Sequence, residues 1–493
     1  MRSDWPERLA AVEPDVAALC RKVSDEGRRQ FTRWRPAIVR RRFAPSALNL
    51  AHYLELRQTD LRPLQRRLMA LGLSSIGRSE SRVMATLDAV LAAVHLAQGR
   101  TMAAPPPSER QFFRGEGLLR QNADEILGAP PPGRSGCIMV TLSGNAADDP
   151  AVLRDMVQRG ANLVRINCAH DGPAAWARMI ANARAASPKV RVLMDIAGPK
   201  VRTGKVVVGV RDRVTPGDEI LLAETIDASL VDPPFQCAVS LPAILSRLKV
   251  GDRVLVDDGA ATGVIARRQY HGIVVKVATT PPKGFKLKPE KGLVFPGVDL
   301  GLSPLTEKDR RDLDFAALNA DLIGYSFVQS ATHVALLQDE LKQRRKDWQR
   351  LGLVAKIETS AAVRNLPQIM VAAASRQPLA VMIARGDLAI ELGFERLAEM
   401  QEEILWLCEA AHVPAIWATE VLSGLVSSGL PSRGEMTDAA MAARAECVML
   451  NKGANVGAGI ETLDRLMRRM AGHQVKKTPT LRALTSWKLA DAP

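Results

Sequence analysis

Two neighbouring apolar segments of this sequence end in charged side chains whose types and spacing suit an anion bound through a metal. The segment LGLVAKIE ends with Lys356 and Glu358, and LAVMIARGD ends with Asp387. Residues two apart on a strand share a face, so Lys356 and Glu358 would point the same way. Two carboxylates that leave other coordination positions to water and phosphate suit Mg²⁺. These residues therefore predict a metal-assisted anion site, with Mn²⁺ as the alternative metal.

Each of these motifs has an ordinary explanation when it is taken alone, because KIE is commonly a salt bridge at a strand end and RGD an ordinary turn. Their occurrence at consecutive strand ends favours a shared site. Earlier segments add candidates: ANLVRINC contributes Arg165, which can neutralise a phosphate, and VRVLMDIAGPKVRTG contributes Asp195, Lys200 and Arg202. His170 follows the first of these segments, and it either stacks on a base or caps a helix.

The segments that carry these residues alternate between short apolar runs and amphipathic stretches. From Cys137 the pattern is β-α-β-α-β, it stops after Gly204, and it resumes from LIGYSFV to ECVMLNKG with five more apolar runs. An insert of alternating strands with Gly-Asp turns separates the two parts. Eight βα units predict an α/β fold, a TIM (β/α)8 barrel with an inserted β-barrel lid domain and a helical N-terminal region. The chemistry of such a barrel lies at the carboxyl ends of its strands, where the candidate residues occur.

The predicted domain boundaries follow composition. Two proline-rich stretches, AAPPPSER and GAPPPGRSG, favour a linker after the helical N-terminal region, which we place at 1–130 together with that linker. The barrel is expected at 136–203 and 296–475, and the lid domain at 204–295. Candidate site residues therefore belong to the barrel and to its junction with the lid.

The composition of the chain limits the classes of partner that it could bind. A net charge of +14 permits nucleic acid, an anionic membrane or acidic metabolites, and the arginine-rich start is either a nucleic-acid patch or, as we favour, a solvated surface. Aromatic residues are only 4% of the chain, which argues against stacking platforms for nucleic acid. The sequence has no secretory h-region and no run of 18 apolar residues, so we expect no membrane association.

The cysteine spacing and the absence of certain sequence motifs argue against several classes of site. The six cysteines form no C-x-x-C pair, which favours reduced thiols and a cytoplasmic location. No paired Cys/His spacing indicates zinc, and no G-x-x-x-x-G-K-[ST] motif indicates a P-loop.

The chain from about Gly136 to Met470 resembles the pyruvate kinase family over its catalytic barrel and its β-rich lid. The order and spacing of the matching segments agree as well as their residues. These segments are VRINCAH, MDIAGPKVRTG, DRVLVDDG, KGLVFPGVDLGLSPLTEKDRRDL, GYSFVQSA, VAKIET, MIARGDLAIEL and PAIWATEVLSGLVSSGLPSRGEMTDAA.

The resemblance implies roles for residues at the substrate side of the site. Arg165 and Lys356 would hold the transferring phosphoryl group, and Glu358 with Asp387 would ligate the divalent cation. Two further positions are implied at the next strand ends. Gly386 would offer its backbone N–H to the substrate carboxylate, and Thr419 would contact the substrate near the carbon that gains a proton.

The resemblance also implies a nucleotide side and a reaction. Arg202 and Lys291 would grip nucleotide phosphates, with Asp258 and His170 nearby, and the lid would close over the nucleotide. The implied partners are phosphoenolpyruvate or pyruvate and ADP or ATP, in a homo-oligomer. Phosphoryl transfer depends on positioning and charge neutralisation, which agrees with the residues found.

The chain departs from the family pattern around the monovalent-cation region. A potassium-site serine is replaced by Ala169 and a threonine by Ile196, whereas Asn167 and Asp195 remain. A turn that usually carries glutamate carries Lys200, so we predict that its ammonium takes the place of K⁺ and that K⁺ is not required. The strand-1 turn is SGNA and the strand-8 turn is NKGA, where the family has other residues.

These departures leave two alternatives open. The barrel either acts on a related enol phosphate or 2-oxo acid, or serves as a non-catalytic regulatory module whose N-terminal helices bind a partner. The family's C-terminal regulatory domain is absent from this sequence, and we therefore expect no activation by fructose 1,6-bisphosphate.

Overall fold

A computed structural model describes residues 4–100, 105–227, 229, 232–269 and 271–480. Its N-terminal part is helical, as predicted. The first helix buries apolar residues at helical spacing, including Leu9, Val12 and Val16, against the helices that follow. The helices of this part are α1 (Trp5–Trp34), α2 (Ala44–Leu56), α3 (Arg62–Met69), α4 (Val83–Ala97), α5 (Glu109–Phe112) and α6 (Arg114–Leu127).

The barrel begins directly after this part, and its first three strands alternate with helices. Their burial is almost complete, which is the pattern of parallel strands covered on both faces. The elements are β1 (Cys137–Thr141), α7 (Pro150–Gln158), β2 (Leu163–Asn167), α8 (Pro173–Ala186) and β3 (Arg191–Ile196).

The lid leaves the barrel after β3 and folds around an apolar core of its own. Its strands are β4 (Thr203–Val208), β5 (Glu219–Ala223), β6 (Phe235–Val239), β7 (Arg253–Val256), β8 (Ala261–Gln269), β9 (Gly272–Thr279) and β10 (Leu293–Val294). In the described residues they form one sheet of order β10-β7-β8-β9-β5-β6-β4. The two edges meet at an isolated antiparallel bridge between Arg202 and Gly292, so the sheet closes on itself beside the barrel.

The second half of the barrel follows the lid. Its elements are α9 (Glu307–Asn319), β11 (Leu322–Tyr325), α10 (Ala331–Arg344), β12 (Gly352–Ile357), α11 (Ser360–Arg364), α12 (Leu366–Ala374), β13 (Leu379–Ala384), α13 (Arg385–Leu392), α14 (Phe394–Ala410), β14 (Ala415–Ala418), α15 (Ser423–Ser428), α16 (Arg433–Ala442), β15 (Cys447–Leu450) and α17 (Val456–Met470). A short hairpin ends the described chain, with β16 (Gln474–Val475) and β17 (Thr478–Pro479).

Eight parallel strands of the described chain close the barrel in the order β1-β15-β14-β13-β12-β11-β3-β2. The predicted fold class is therefore confirmed. The carboxyl ends of all eight strands meet at one rim, which we call the barrel mouth. Among the described residues, no helix combines the length and the apolar character that crossing a bilayer requires.

Helix α6 closes the opposite end of the barrel. Its last residues, Ile126 and Leu127, pack into the apolar cluster inside the strands. A β-carbon added at Gly352 would lie only 2.8 Å from Ile126 Cγ1, so the start of β12 has no side chain where α6 packs. The barrel mouth is therefore left as the open end.

Candidate functional site

The centre of the barrel mouth is a buried carboxylate shared by two cations. Asp195, at the end of β3, is 1% exposed. Its Oδ2 accepts a hydrogen bond of 2.7 Å from Arg165 Nε and lies 3.4 Å from Lys356 Nζ. Because β2 and β3 pair in register, with Arg165 beside Leu193 and Asn167 beside Asp195, the arginine reaches across to the neighbouring strand end. One buried carboxylate therefore fixes two cations at the mouth.

Lys356 is held by further oxygen atoms just after the ends of β12 and β11. Its Nζ lies 2.9 Å from Glu358 Oε1 and donates to Ser326 Oγ at 2.7 Å. The other oxygen of Glu358, Oε2, accepts from the backbone N–H of Phe327 at 2.6 Å. Lys356 and Glu358 therefore share one face of the strand end, as predicted.

Burial and charge set the protonation states of this cluster. Burial favours the neutral acid at Asp195, but Lys356 and Arg165 outweigh it and hold the pKa of Asp195 below its ordinary value. Burial likewise opposes the charge of Lys356, but Asp195 and Glu358 keep its pKa raised, so the lysine stays an ammonium. At Glu358, burial and the nearby Asp387 raise the pKa. Glu358 is thus a buried carboxylate that gains from an additional cation.

Asp387 lies at the start of α13 and faces the segment between β3 and β4, which we call the lid hinge. Its Oδ1 accepts a hydrogen bond of 3.0 Å from Lys200 Nζ. The Lys200 side chain also passes close to the lid, since a β-carbon added at Gly292 would lie 3.5 Å from its Cε and 3.9 Å from Asp258 Oδ1. Lys200 therefore bridges the lid hinge and the barrel rim.

The structure separates Lys200 from the other two residues of the predicted monovalent-cation region. Asp195 is paired with Arg165 and Lys356, and Asn167 Oδ1 accepts from the backbone N–H of Ala169 at 3.1 Å. The ammonium of Lys200 contacts Asp387 instead. That Lys200 replaces K⁺ stays a prediction, and its charge lies on the Asp387 side of the site.

Gly386 and Thr419 meet at the next two strand ends. The N–H of Gly386 donates to Thr419 Oγ1 at 2.8 Å, and Thr419 has φ +66°, which is unusual for a β-branched residue. Arg385 stabilises this backbone, because its Nη2 donates to the Thr419 carbonyl at 2.6 Å and to Asp438 at 2.9 Å. The N–H of Gly386 and the hydroxyl of Thr419 are therefore in direct contact, next to Asp387 in the chain.

The nucleotide-side candidates lie at the edge of the lid. Arg202 Nη1 donates to the Glu290 carbonyl at 2.9 Å, and Lys291 Nζ lies 2.9 Å from Asp257 Oδ2. Asp258 follows Asp257 in a tight turn with φ +53°. His170 lies on a different element, the exposed loop after β2, where its carbonyl accepts from the indole of Trp176. The lid edge thus gathers Arg202, Lys291 and Asp258.

A cleft of about 840 Å³ opens between the hinge and the barrel rim. Its walls include Lys200, Phe327, Glu358, Asp387 and residues of the segment that returns from the lid. The volume falls within the range of small-molecule sites, roughly 300–1,000 Å³. Both predicted metal ligands, Glu358 and Asp387, therefore line the same cleft.

The residues present fit a divalent cation with few protein ligands. Glu358 and Asp387 line one cleft and would share the ion with water or substrate oxygens. Among the described residues, no three His, Cys, Asp or Glu side chains are grouped as a metal site. The raised pKa of Glu358 points the same way, since a bound cation would offset its burial and the charge of Asp387.

Two residues that position this site were not assigned a role from the sequence. Ser326 accepts from Lys356 and donates to the Ile196 carbonyl at 2.8 Å, and Arg385 supports Thr419 and stacks 4.8 Å from the Trp417 ring centroid. Both occur at predicted strand ends, which is the signal that could have found them.

Known proteins resemble this chain over the same region. A family model described as pyruvate kinase, barrel domain, matches residues 134–459. A pyruvate kinase of Agrobacterium vitis is 32% identical over 368 residues, which cover 72% of this chain and 73% of that protein. The human pyruvate kinase PKLR is 30% identical over 371 residues, which cover 69% of this chain and 61% of that protein.

The fold comparison agrees with the sequence comparisons. The crystal structure of a pyruvate kinase from Cryptosporidium parvum is similar with a TM-score of 0.61 and 25% identity, over 70% of this chain and 72% of that chain. The matched region contains the barrel, the lid and the charged cluster at the mouth. On these grounds, the chain belongs to the pyruvate kinase family.

Proposed function

We propose that this chain transfers the phosphoryl group of phosphoenolpyruvate to ADP, giving pyruvate and ATP. The observation that carries the proposal is the buried cluster of Arg165, Asp195, Lys356 and Glu358 at the barrel mouth, with Asp387 beside it. Phosphoryl transfer needs fixed positive charge around the moving group more than it needs a covalent intermediate. Arg165 and Lys356 supply such charge from largely buried positions.

Arg165 and Lys356 are the groups that would hold the phosphoryl oxygens. Lys356 is protonated and fixed by Ser326 and Glu358, so its charge needs little reorganisation during the reaction. Arg165 contacts Asp195 through Nε and Nη2 and donates to Thr141 Oγ1 through Nη1, so its guanidinium is fixed at the strand ends. The two cations would therefore neutralise the charge that spreads over the phosphoryl oxygens in the transition state.

The carboxylate end of the substrate would lie at the start of α13. On substrate binding, the N–H of Gly386 would exchange its bond to Thr419 Oγ1 for one to the substrate carboxylate, and the freed Thr419 hydroxyl would lie beside the carbon that gains a proton. Mg²⁺, or Mn²⁺ in its place, would be held by Glu358 and Asp387 and would polarise the phosphoryl and enolate oxygens. Arg202 and Lys291 would bind the nucleotide phosphates at the lid edge, with Asp258 and His170 nearby.

We place this activity in the cytoplasm and in a homo-oligomer. The support for the compartment is chemical: the six cysteines are free and buried, as expected of a protein from a reducing environment. The oligomer is inferred from the family alone.

The direct test is formation of pyruvate from phosphoenolpyruvate and ADP with Mg²⁺, coupled to NADH oxidation by lactate dehydrogenase. We expect saturable activity in both substrates that disappears on chelation of the metal. The Glu358→Gln variant is the control, because it removes one metal ligand and keeps the side-chain shape. Wild-type activity no higher than that of this variant would overturn the proposal and favour a non-catalytic module. Turnover of another enol phosphate in preference to phosphoenolpyruvate would favour an altered substrate.

A further inference from the structure

A second cavity, of about 440 Å³, lies in the N-terminal region, and none of its lining residues belongs to the charged cluster of the barrel mouth. It is formed by the end of α2, the loop to α3, α3 itself and the turn before α4, and it is closed by Lys477 from the terminal hairpin. Two of its lining residues, Arg57 and Lys477, contact the barrel at Trp406, near the end of α14, which leads into the start of β14. The cavity therefore lies on the side of the barrel opposite to the mouth. We call it the N-terminal pocket.

Arg57 is the central cation of this pocket. Its guanidinium carbon lies 4.8 Å from the Trp406 ring centroid and 5.6 Å from that of Tyr53, and its Nη1 donates to the Tyr53 hydroxyl at 2.7 Å. Within the described part of the chain, it pairs with no carboxylate. Two rings and a hydroxyl thus fix a guanidinium whose other N–H groups remain available.

A second cation lies against the same indole ring. Lys477 Nζ is 4.9 Å from the Trp406 ring centroid, and it contacts the buried carboxylate of Glu80. Lys477 and Arg57 therefore repel one another across one aromatic ring, and only Lys477 has a carboxylate partner among the described residues. An anion in the pocket would supply the negative charge that Arg57 lacks.

The rest of the lining adds one more ion pair and several neutral donors. Arg62 is paired with Asp60 at 2.8 Å, and its side chain is 84% exposed, so it can turn toward a ligand. The charged groups of the lining therefore sum to a small positive charge. The neutral polar residues that complete the wall are Gln58, Thr59, Gln65 and Ser79.

We infer that the N-terminal pocket binds a small organic phosphate. Guanidinium groups match the oxygen geometry of phosphate through parallel hydrogen bonds, and amide and hydroxyl side chains suit the hydroxyls or base edges of the attached group. The ligand would join Arg57 of the N-terminal helices, Lys477 of the terminal hairpin and, through both cations, Trp406 of α14. Binding would therefore fasten the N-terminal region to the barrel and stabilise the folded protein.

The test is a titration of the full-length protein with glucose 6-phosphate, AMP, inorganic phosphate and citrate, followed by thermal unfolding and tryptophan fluorescence. We expect one of the two organic phosphates to raise the unfolding temperature saturably. Arg57→Gln should weaken that binding by about tenfold or more, because it removes the stacked cation. Arg66→Gln, on α3 but outside the pocket, is the matched control and should bind as the wild type does.

A variant of the barrel mouth separates this pocket from the proposed active site. Lys356→Ala should retain the ligand-induced shift, even if the proposed reaction were wrong, since Lys356 lies outside the N-terminal pocket. If Arg57→Gln does not fold, Arg62→Gln replaces it, because Arg62 is exposed and a loss of affinity is expected there too. Equal binding by wild type and the folded pocket variant, no binding of either organic phosphate, or preference for citrate would each overturn the inference.

Discussion

Lys356 is the residue on which the charged cluster of the mouth depends most. Its ammonium lies within 3.4 Å of Asp195, Glu358 and Ser326, and its pKa stays raised although the side chain is buried. A fixed positive charge beside the atoms that become negative in the transition state contributes strongly to the rate of the chemical step. Its removal is therefore expected to lower that rate more than most other substitutions.

We predict that Lys356→Ala lowers kcat/KM by about 10²–10³-fold or more while the protein stays folded, since a preorganised charge is lost from the transition state. Coupled assays measure the rate, and far-UV circular dichroism measures the fold. Lys342→Ala, an exposed position on α10, serves as the control and should leave the rate unchanged. Activity of the Lys356 variant within about tenfold of wild type, with normal saturation, would contradict its assignment.

At Lys200 the structure sharpens a prediction that began from the sequence. The ammonium lies 3.0 Å from Asp387, so it already places a single positive charge at the rim of the site. We predict that initial rates in tetramethylammonium salts change by less than about twofold when K⁺ replaces that cation at constant ionic strength, because Lys200 supplies the charge. An increase of about tenfold or more on adding K⁺ would refute this.

The reciprocal variant tests the same idea. Lys200→Glu would place a carboxylate beside Asp387 and near the substrate phosphate, and activity should fall through like-charge repulsion. K⁺ should restore it only when Ala169→Ser is added to rebuild a ligand. Rescue by K⁺ in the single variant would show that the site binds K⁺ without the lost hydroxyl.

At the scale of elements, helix α6 closes the end of the barrel opposite to the mouth. Ile126 is 3% exposed and fits where Gly352 leaves space inside the strands. A second close contact lies at the start of the helix. A β-carbon at Gly115 would come within 1.8 Å of the Ser81 carbonyl, so α6 crosses the turn before α4 at a position that only glycine permits. Through these two contacts, α6 packs closely against both the barrel strands and the N-terminal region.

We predict that Ile126→Ala lowers the free energy of unfolding by about 2–4 kcal/mol, because it leaves a cavity inside the closed end of the barrel. Urea unfolding measured by circular dichroism gives the value. Leu318→Ala on α9, where the side chain is 63% exposed, should change stability by no more than about 0.5 kcal/mol. Equal effects of the two substitutions would mean that α6 does not seal the barrel.

At the scale of the whole molecule, the N-terminal region is joined to the barrel through buried polar contacts. His412, before β14, is 2% exposed, and its Nδ1 and Nε2 each lie 2.9 Å from an N-terminal oxygen, the Ser46 hydroxyl and the Ser81 carbonyl. A carbonyl only accepts, so Nε2 carries the hydrogen. Asn49 adds a bond of 2.8 Å to the Ala410 carbonyl.

Because His412 is buried in these contacts, we expect the free energy of unfolding to depend on pH. Burial lowers the pKa of His412 to about 4 from 6.5, so the folded protein keeps this histidine neutral while the unfolded chain protonates it. We predict that its contribution, about 3 kcal/mol, is present above pH 6.5 and is lost as the pH falls toward about 4. The His412→Gln variant should be less stable at neutral pH and should lose that part of the pH dependence.

Unfolding curves between pH 7.5 and pH 4.5 measure this effect, with His271→Gln on the exposed surface of the lid as the control. Burial also lowers the pKa of His52 to about 4, so the His412 variant keeps part of the slope. If the free energy of unfolding of the His412 variant changed with pH as steeply as that of the wild type, protonation of His412 would not be the cause of the pH dependence.

Much of the site followed from the order of residues along the chain. The βα alternation predicted a barrel, and a parallel barrel brings all strand ends to one rim, so Arg165, Asp195, Lys356 and Glu358 could be grouped without knowing any distance. The two-residue spacing of Lys356 and Glu358 fixed their common face in the same way. These are local patterns, and local patterns are what a sequence carries most directly.

Other features were decided only by tertiary packing. Lys200 lies in a loop without periodicity, and its ion pair with Asp387 spans 187 positions, so no spacing rule predicts it. The N-terminal pocket likewise needs Arg57, Trp406 and Lys477 to meet from three distant segments. Long-range contacts of this kind depend on how whole elements dock, and docking is determined by the summed packing of their faces rather than by the residues that happen to meet.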